Sequence, residues 1–370
     1  MHGTTKDPVK HPVKLEYRHE YFVDREQELK EVLGKARRIA NGKLERRRVL
    51  VCRGSRGGGK TWLLKELERL APENGIHPCY QELKREHHVQ ELRRALVRQP
   101  RPLLLLLDVD GATNEMLKEF GNRVLGRLVT DIRVLVILTE RGEGHFWGVP
   151  QIDQSSEDLV LNPFEERDDL EALIRKQVPD AIVDLDEVLK MGGGFPWVSY
   201  LLVASRQAGL EPLGRCIDIL LEGINGKLRH QFEALSVLRS FNEDRMAPLL
   251  KAYSAEFAKR EWNHEACRDL ARVLVDSTLA RYMPEHRAYV IDEPLRQVMV
   301  GWLHTFAPEL WAKLHQVAYE VYDEFSIYQP QTRQWQEEKA YHSSCLREAG
   351  WPLPSPVLPG SRKEGEENGR

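Results

Sequence analysis

Residues 49–61 read Val-Leu-Val-Cys-Arg-Gly-Ser-Arg-Gly-Gly-Gly-Lys-Thr, an apolar run followed by a glycine-rich loop. The apolar run predicts a buried strand, and Trp62-Leu63-Leu64 opens a predicted helix directly after the loop. Residues 54–61 fit the pattern Gly-x-x-x-x-Gly-Lys-Ser/Thr, which binds phosphate where it joins a strand to a helix. The stretch therefore predicts a P-loop nucleotide-binding domain; the alternative is a glycine-rich surface turn before a Lys-Thr pair.

The residue types of this loop account for its expected chemistry. Glycines let successive backbone N–H groups turn toward one centre, and the start of the helix adds positive potential. We expect Lys60 to reach the β- and γ-phosphates and the Thr61 hydroxyl to ligate Mg²⁺. The residues predicted to bind nucleotide here are Gly54, Ser55, Arg56, Gly57, Gly58, Gly59, Lys60, Thr61 and Trp62.

Five consecutive leucines, residues 103–107, are followed by Asp108. A run without polar alternation is typical of a central strand buried on both faces. A carboxylate at the end of such a strand, roughly 50 residues after the loop, is the expected acidic partner of Mg²⁺ in a P-loop protein. Asp108 is therefore predicted to contact Mg²⁺ through water and, with Lys60, to take part in catalysis; the alternative is a solvent-facing aspartate at a strand end.

Short apolar runs alternate with helical patterns in the first part of the chain. The predicted strands lie at 49–52, 77–80, 103–107, 134–138 and 159–161. This alternation predicts an α/β fold, a P-loop NTPase parallel sheet with helices on both faces. The predicted strand around Cys79 lies between the two motifs in sequence and favours the ATPase branch with a strand inserted beside the first.

Beyond Pro163 the apolar positions recur at helical spacing, and later two β-like segments flank a polar turn at 284–287. The helical pattern predicts a small lid domain, and the paired β segments after short helices predict a winged helix. The predicted organisation is a disordered tail at 1–18, a P-loop nucleotide-binding domain at 19–162, a helical lid domain at 163–226, a winged-helix domain at 227–300, a helical segment at 301–350 and a disordered tail at 351–370.

Composition excludes several classes of protein. The chain has 370 residues, and 54 basic against 57 acidic side chains give a net charge of −3, so no overall positive field attracts nucleic acid. Five cysteines without Cys-x-x-Cys spacing argue against a disulfide framework and a zinc site. No apolar run reaches the roughly 20 residues of a membrane span, and the first residues are polar and charged without the apolar core of a signal sequence. We expect a cytoplasmic protein that does not bind membranes.

Taken together, the motifs resemble those of the signal-transduction ATPases with numerous domains (STAND), relatives of the origin-recognition AAA+ ATPases. Residues 21–29, Tyr-Phe-Val-Asp-Arg-Glu-Gln-Glu-Leu, are similar to the family's N-terminal motif, which lies over the adenine end of the nucleotide. The resemblance implies nucleotide contacts for Val23 and Arg25.

Two further motifs carry the resemblance. Residues 137–141, Ile-Leu-Thr-Glu-Arg, are similar to the family's strand that ends in Thr-x-Arg, whose arginine senses the γ-phosphate. This implies a catalytic role for Arg141. Gly194-Phe195-Pro196 resembles the family's Gly-x-Pro motif, which implies that Pro196 packs on the adenine.

The chain departs from the family pattern at two positions. The family usually has a second acidic residue after its strand-end aspartate to orient the attacking water, whereas this chain has Val109 and then Asp110. Either Asp110 or Glu140 substitutes for it, or turnover is very slow. Ile291 stands where the family has the histidine of a His-Asp pair that contacts phosphate, so the coupling of the winged helix to ADP is in doubt.

Three hypotheses about function follow. The first is a molecular switch of the STAND type that binds ATP or ADP with Mg²⁺, hydrolyses ATP slowly or on stimulation by a partner, and acts on a separate effector protein or by self-assembly. The second is a DNA-associated ATPase of origin-recognition type that uses its winged helix, with basic clusters at 46–48 and 93–94 as candidates. The third is a scaffold that holds nucleotide without hydrolysis. The lack of an Asn-Lys-x-Asp motif favours adenine over guanine.

Overall fold

A computed structural model of the chain describes residues 17–23, 25–54, 57–84, 89–112, 114–140, 149–164, 167–207, 212–221, 224–277, 279–283, 287–329 and 332–354. The chain divides into two compact units. The first comprises Met1–Lys190 and Gly194–Ala208, and the second comprises Met191–Gly193 and Gly209–Arg370. The predicted tails lie outside the described residues, except for residues 17–18 and 351–354.

The first unit contains a five-stranded parallel sheet. Its strands are β1 Val49–Arg53, β2 His77–Lys84, β3 Leu103–Gly111, β4 Val134–Glu140 and β5 Ser156–Val160. Their order is β2-β3-β4-β1-β5. A strand is therefore inserted between β1 and β3, as expected for the ATPase branch, but that strand is β4. The strand around Cys79, β2, lies at the edge of the sheet beside β3.

Helices connect these strands and continue after them. They are α1 Glu26–Ala40, α2 Lys60–Leu70, α3 Val89–Val97, α4 Asn114–Phe120, α5 Gly126–Leu128, α6 Pro150–Ser155, α7 Arg167–Gln177, α8 Leu185–Gly192 and α9 Pro196–Gln207. Short 3₁₀ turns occur at His19–Tyr21 and Pro72–Asn74, and one π-helical turn at Gly121–Leu125 precedes α5. The last two residues of α8 belong to the second unit.

Alternate residues of each strand project to opposite faces of the sheet, and both faces are buried. One face packs against α1 and α2 and carries Leu50, Leu104, Leu106, Leu135 and Ile137. The opposite face packs against α3 and α4. All five leucines of 103–107 are fully buried. The predicted α/β fold, a parallel sheet with helices on both faces, is therefore confirmed.

The second unit is mainly helical. Its helices are α10 Pro212–Leu220, α11 Gly226–Leu235, α12 Glu243–Tyr253, α13 Ala255–Ala258, α14 His264–Asp276, α15 Glu293–Phe306, α16 Pro308–Tyr328 and α17 Arg333–Glu348. Asparagine side chains cap two of them: Asn225 accepts from the backbone N–H of Leu228, and Asn263 from that of Ala266, each at 2.9 Å.

The second unit also contains a small antiparallel sheet, whose strands alternate with these helices along the chain. Its strands are β6 Ser240–Phe241, β7 Ala280–Met283 and β8 Ala288–Ile291, in the order β6-β8-β7. The two β segments predicted around the turn are confirmed as β7 and β8, and β6 is an additional strand. The assignment of this segment as a winged helix stays a prediction.

Two histidines lie between the last two helices of the second unit. The Nδ1 atoms of His315, on α16, and His342, on α17, are 2.9 Å apart, and both side chains are fully buried. The ring of Tyr322 stacks on His342 with centroids 5.6 Å apart.

Among the described residues, no helix is both long and apolar enough to cross a membrane.

Candidate nucleotide-binding site

The loop between β1 and α2 has the backbone of a phosphate-binding turn. Gly57 and Gly59 adopt positive φ angles of 81° and 92°, which favour glycine. Helix α2 begins at Lys60, whose side chain is only 4% exposed, and its Nζ donates a hydrogen bond of 2.6 Å to the carbonyl oxygen of Gly54. The lysine therefore connects the two ends of the loop. Ser55 and Arg56 lie outside the described residues.

The sheet face against α2 ends in polar side chains at the carboxyl ends of β3 and β4. The hydroxyl of Thr61 donates to Oδ2 of Asp108 at 2.7 Å, and the hydroxyl of Thr139 donates to Oδ1 at 3.2 Å. Thr139 in turn accepts the backbone N–H of Val109 at 3.1 Å. Asp108 is 6% exposed. Both oxygens of this carboxylate are therefore fixed by hydroxyl groups from neighbouring elements.

Tyr80, on β2, approaches the same carboxylate. Burial raises the pKa of its phenol above the ordinary value, and the negative charges of Asp108, Glu82 and Glu68 and a hydrogen bond to Asp108 act in the same direction. The ammonium of Lys65, one turn beyond Thr61 on α2, lies 3.3 Å from the centre of the Tyr80 ring. The phenol therefore stays protonated and able to donate.

These side chains fit the predicted Mg²⁺ site. A hydroxyl and a carboxylate oxygen are hard ligands of the kind Mg²⁺ prefers, and Mg²⁺ usually keeps several waters beside one or two protein ligands and substrate phosphates. Thr61 and Asp108 supply that pair. No group of three or more His, Cys, Asp or Glu suited to a metal occurs in the part of the chain that the structure describes.

Two glycines of the loop are required by what lies against them. A Cβ atom on Gly54 would lie 3.1 Å from the carbonyl oxygen of Leu161, just after β5. A Cβ atom on Gly57 would lie 3.2 Å from Cβ of Trp197, near the start of α9. The backbone N–H of Trp197 also donates to the carbonyl oxygen of Gly57 at 3.3 Å. The sequence analysis missed Trp197; its position directly after Pro196 is the only local signal.

The N-terminal motif is anchored to the segment that follows β5. Arg25 is 7% exposed, and its Nη2 donates to the carbonyl oxygen of Asn162 at 2.7 Å. Its guanidinium lies 5.2 Å from the centre of the Phe164 ring. Arg25 has a φ of 149°, an uncommon conformation for a residue with a side chain, so these contacts hold a strained backbone at the start of α1.

The Gly-x-Pro segment meets the same stretch. The backbone N–H of Phe164 donates to the carbonyl oxygen of Gly194 at 2.8 Å, two residues before α9 begins at Pro196. The structure therefore brings the segment containing Pro196, the N-terminal motif containing Val23 and Arg25, and the phosphate loop together around residues 161–164. The adenine contacts predicted for Val23, Arg25 and Pro196 stay predictions, as does the role of Trp62.

Val109 cannot contribute to chemistry, because it is 7% exposed and packs in the core on the face opposite α2. The sequence offers Asp110 and Glu140 in place of the acidic residue that would orient the attacking water. The structure describes the side chain of neither. Arg141 lies outside the described residues altogether. The predicted catalytic roles of Asp110 and Arg141 therefore stay predictions.

No family model matches the chain, and no curated protein is similar to it in sequence. Among solved structures, the RuvB Holliday junction branch migration motor of Thermotoga maritima is 16% identical, with 74% of this chain and 93% of that chain covered and a TM-score of 0.37. The Aeropyrum pernix ORC2 protein, in ADPNP and ADP complexes, is 14% identical, with 81% and 97% covered and a TM-score of 0.42. Cdc6p from Pyrobaculum aerophilum is also 14% identical, with the same coverage and a TM-score of 0.36. With TM-scores below 0.5, none of these likenesses assigns a function to the chain.

Proposed function

We propose that this chain is an ATP- and ADP-binding molecular switch that uses Mg²⁺ and hydrolyses ATP slowly. The observation that carries the proposal is the 2.7 Å hydrogen bond between Thr61 and Asp108. It joins two residues that the sequence singles out independently, one in the phosphate loop and one at the end of a buried strand. A surface turn that matched the loop pattern by chance would have no reason to meet that carboxylate.

Each residue has a defined part in binding. The buried Lys60 side chain would contact the β- and γ-phosphates, and the loop glycines would present backbone N–H groups to the same oxygens. Thr61 and Asp108 would hold Mg²⁺, which neutralises charge on the phosphate oxygens when bound. Arg141 is the proposed γ-phosphate sensor.

A switch also needs a path from the nucleotide to the rest of the chain. The contact between Gly57 and Trp197 supplies one, because the same loop that would bind phosphate also contacts the start of α9. A change of phosphate-loop conformation between ATP and ADP would therefore alter the support of α9, which leads along the chain into the second unit. A separate effector protein or another copy of the chain would read this change.

The test is titration calorimetry of ATP and ADP with Mg²⁺, with phosphate release followed in parallel. The variants are Lys60→Ala and, as a matched control, Lys43→Ala, whose lysine is exposed and outside the loop. We expect the parent and Lys43→Ala to bind and Lys60→Ala to lose binding while keeping its fold by circular dichroism. A parent protein that binds neither nucleotide refutes the proposal.

Limited proteolysis separates the switch from the scaffold. A switch gives different digestion patterns with ATP, with ADP and without nucleotide, because each state exposes different backbone. Identical patterns would favour a scaffold in which nucleotide is a structural ligand.

A DNA-associated ATPase is the second candidate. The small sheet β6-β8-β7, whose strands β7 and β8 follow α12 to α14, supports a winged helix, which is the element that would contact duplex DNA. However, the exposed arginines of α14 are paired with carboxylates: Arg268 with Glu243 at 3.4 Å and Arg272 with Asp269 at 3.3 Å. Their charge is therefore partly neutralised. Duplex binding that weakens steeply with salt would favour this function, and no binding at low salt would exclude it.

A further inference from the structure

A second carboxylate lies beside Asp108 on the neighbouring strand. In the parallel pair β2–β3, Glu82 is the register partner of Asp108. Register partners in adjacent strands project to the same face, so the side chain of Glu82 extends from the same face as that of Asp108. Tyr80, two residues earlier on β2, packs on the core against α1 and α2, which identifies this as the α2 face. Glu82 is exposed at this end of the sheet.

Asp108 itself is poorly suited to act on water. Its two carboxylate oxygens accept the hydroxyls of Thr61 and Thr139. It is also the predicted Mg²⁺ partner, and a carboxylate committed to these bonds is not a base. Any general base must therefore come from another residue at the carboxyl ends of the strands.

The direction of attack points to the β2 side of the sheet. The phosphate loop that would hold the leaving nucleoside diphosphate follows β1, and the order β1, β4, β3, β2 runs away from it. Because attack on a phosphoryl group is in line with the leaving oxygen, the water must lie on the far side of the γ-phosphorus from that oxygen. With the diphosphate held after β1, the far side would lie toward β4, β3 and β2, and Glu82 lies at the carboxyl end of β2.

We propose that Glu82 is the general base of ATP hydrolysis in this chain, and this inference rests on the proposed function. Its carboxylate accepts a proton from the attacking water while an O–P bond forms to the γ-phosphorus. The bond from that phosphorus to the β–γ bridging oxygen breaks, ADP keeps the electron pair, and inorganic phosphate forms. Glu82 then passes the proton to solvent, to which it is exposed.

The test compares Glu82→Gln with Glu91→Gln, which removes an exposed carboxylate of α3, the helix on the opposite face of the sheet. We expect Glu82→Gln to lower single-turnover phosphate release by about 100-fold or more, the usual contribution of a general base. Calorimetric ATP affinity should stay within about threefold of the parent, because a base adds little to ground-state binding. Glu91→Gln should match the parent in both measurements.

The outcomes separate this inference from the function it rests on. A parent that binds no ATP refutes both. A parent that binds ATP but does not hydrolyse it, or a Glu82→Gln variant that hydrolyses at the parental rate, refutes the role of Glu82 alone. Loss of ATP binding in Glu82→Gln would make Glu82 a binding or structural residue. Loss of hydrolysis in Asp110→Asn or Glu140→Gln, with Glu82→Gln unaffected, would assign the base to that residue.

Discussion

The backbone N–H of Trp197 donates a hydrogen bond to the carbonyl oxygen of Gly57, 3.3 Å away, although the two residues are far apart in the sequence. The indole also lies against Gly57, so that a Cβ atom there would be 3.3 Å from Cε3 of the ring. The phosphate loop is therefore shaped from both sides, by its own glycines and by the start of α9.

Gly57→Ala is expected to abolish or strongly weaken ATP binding. A positive φ costs alanine about 1 kcal/mol, and the added methyl group must also displace Trp197. Gly42→Ala is the matched control, because Gly42 has a φ of 72° with nothing within 4 Å of its Cβ position. Calorimetry should show normal affinity in Gly42→Ala. Equal affinities in the two variants would show that Trp197 does not constrain the loop.

Thr139→Val keeps the shape of the side chain and removes its hydroxyl. The backbone N–H of Val109 then loses its acceptor in a buried setting, which costs about 1–3 kcal/mol of stability. Asp108 also loses one donor, so we expect Mg²⁺-dependent nucleotide affinity to fall several-fold. Thr130→Val is the control, since that exposed hydroxyl donates only to the carbonyl oxygen of Arg127. Denaturant unfolding and calorimetry measure both effects, and unchanged values in Thr139→Val would contradict this assignment.

Gly194→Ala should destabilise the first unit severely. Its φ is 74°, and a Cβ atom would lie 2.1 Å from the carbonyl oxygen of Phe164, a backbone atom that cannot swing aside. Gly350 has the same φ with nothing within 4 Å, so Gly350→Ala isolates the backbone strain of about 1 kcal/mol. Thermal unfolding should show a much larger fall in Tm for Gly194→Ala. Similar falls in Tm for the two variants would mean that the backbone at Phe164 moves aside at little cost in stability.

Acid should destabilise the second unit through its buried histidines. Burial first, and then the positive charges of Arg296 and His304, lower the pKa of His315 to about 3 from the ordinary 6.5. Burial, and then the charges of His315, Arg239 and Arg296, lower the pKa of His342 as well. Between pH 6.5 and about 3 the unfolded chain therefore binds more protons than the folded chain. Stability is complete above pH 6.5 and falls below it, by about 1.4 kcal/mol per pH unit for each histidine.

Thermal unfolding at about pH 7 and about pH 5 measures this loss. A His315→Leu/His342→Leu double variant should show a shallower dependence on pH. His264→Gln is the matched control, because it removes an exposed histidine from the same unit. An equally steep dependence in the double variant would place the acid-sensitive groups elsewhere.

Local pattern was enough to locate all five strands of the large sheet. Runs such as 103–107 and 134–138 are apolar at every position. This pattern is typical of a strand buried on both faces. The loop pattern and the strand-end aspartate also singled out Thr61 and Asp108, which the structure brings into contact; their roles and that of Lys60 stay predictions. These patterns are properties of neighbouring residues, and a linear sequence displays them directly.

What the sequence could not supply was the order of the strands. The bond from Thr139 to Asp108 exists because β4 lies beside β3, and no local pattern specifies that pairing. The contact between Gly57 and Trp197 and the register pairing of Glu82 with Asp108 also join residues that are distant in the sequence, so no local pattern predicts them. The strand β6 was missed because its two residues are too few for a periodicity.

The order of the strands also determines when, during synthesis, the strand before the phosphate loop gains its partners. The neighbours of β1 are β4 and β5, and both are translated after it. On the ribosome, β1 lacks a first partner until β4 at Val134–Glu140 has emerged, and lacks its second until β5 at Ser156–Val160 has followed. A nucleotide bound as proposed would therefore add stability only after β1 has both of its partner strands.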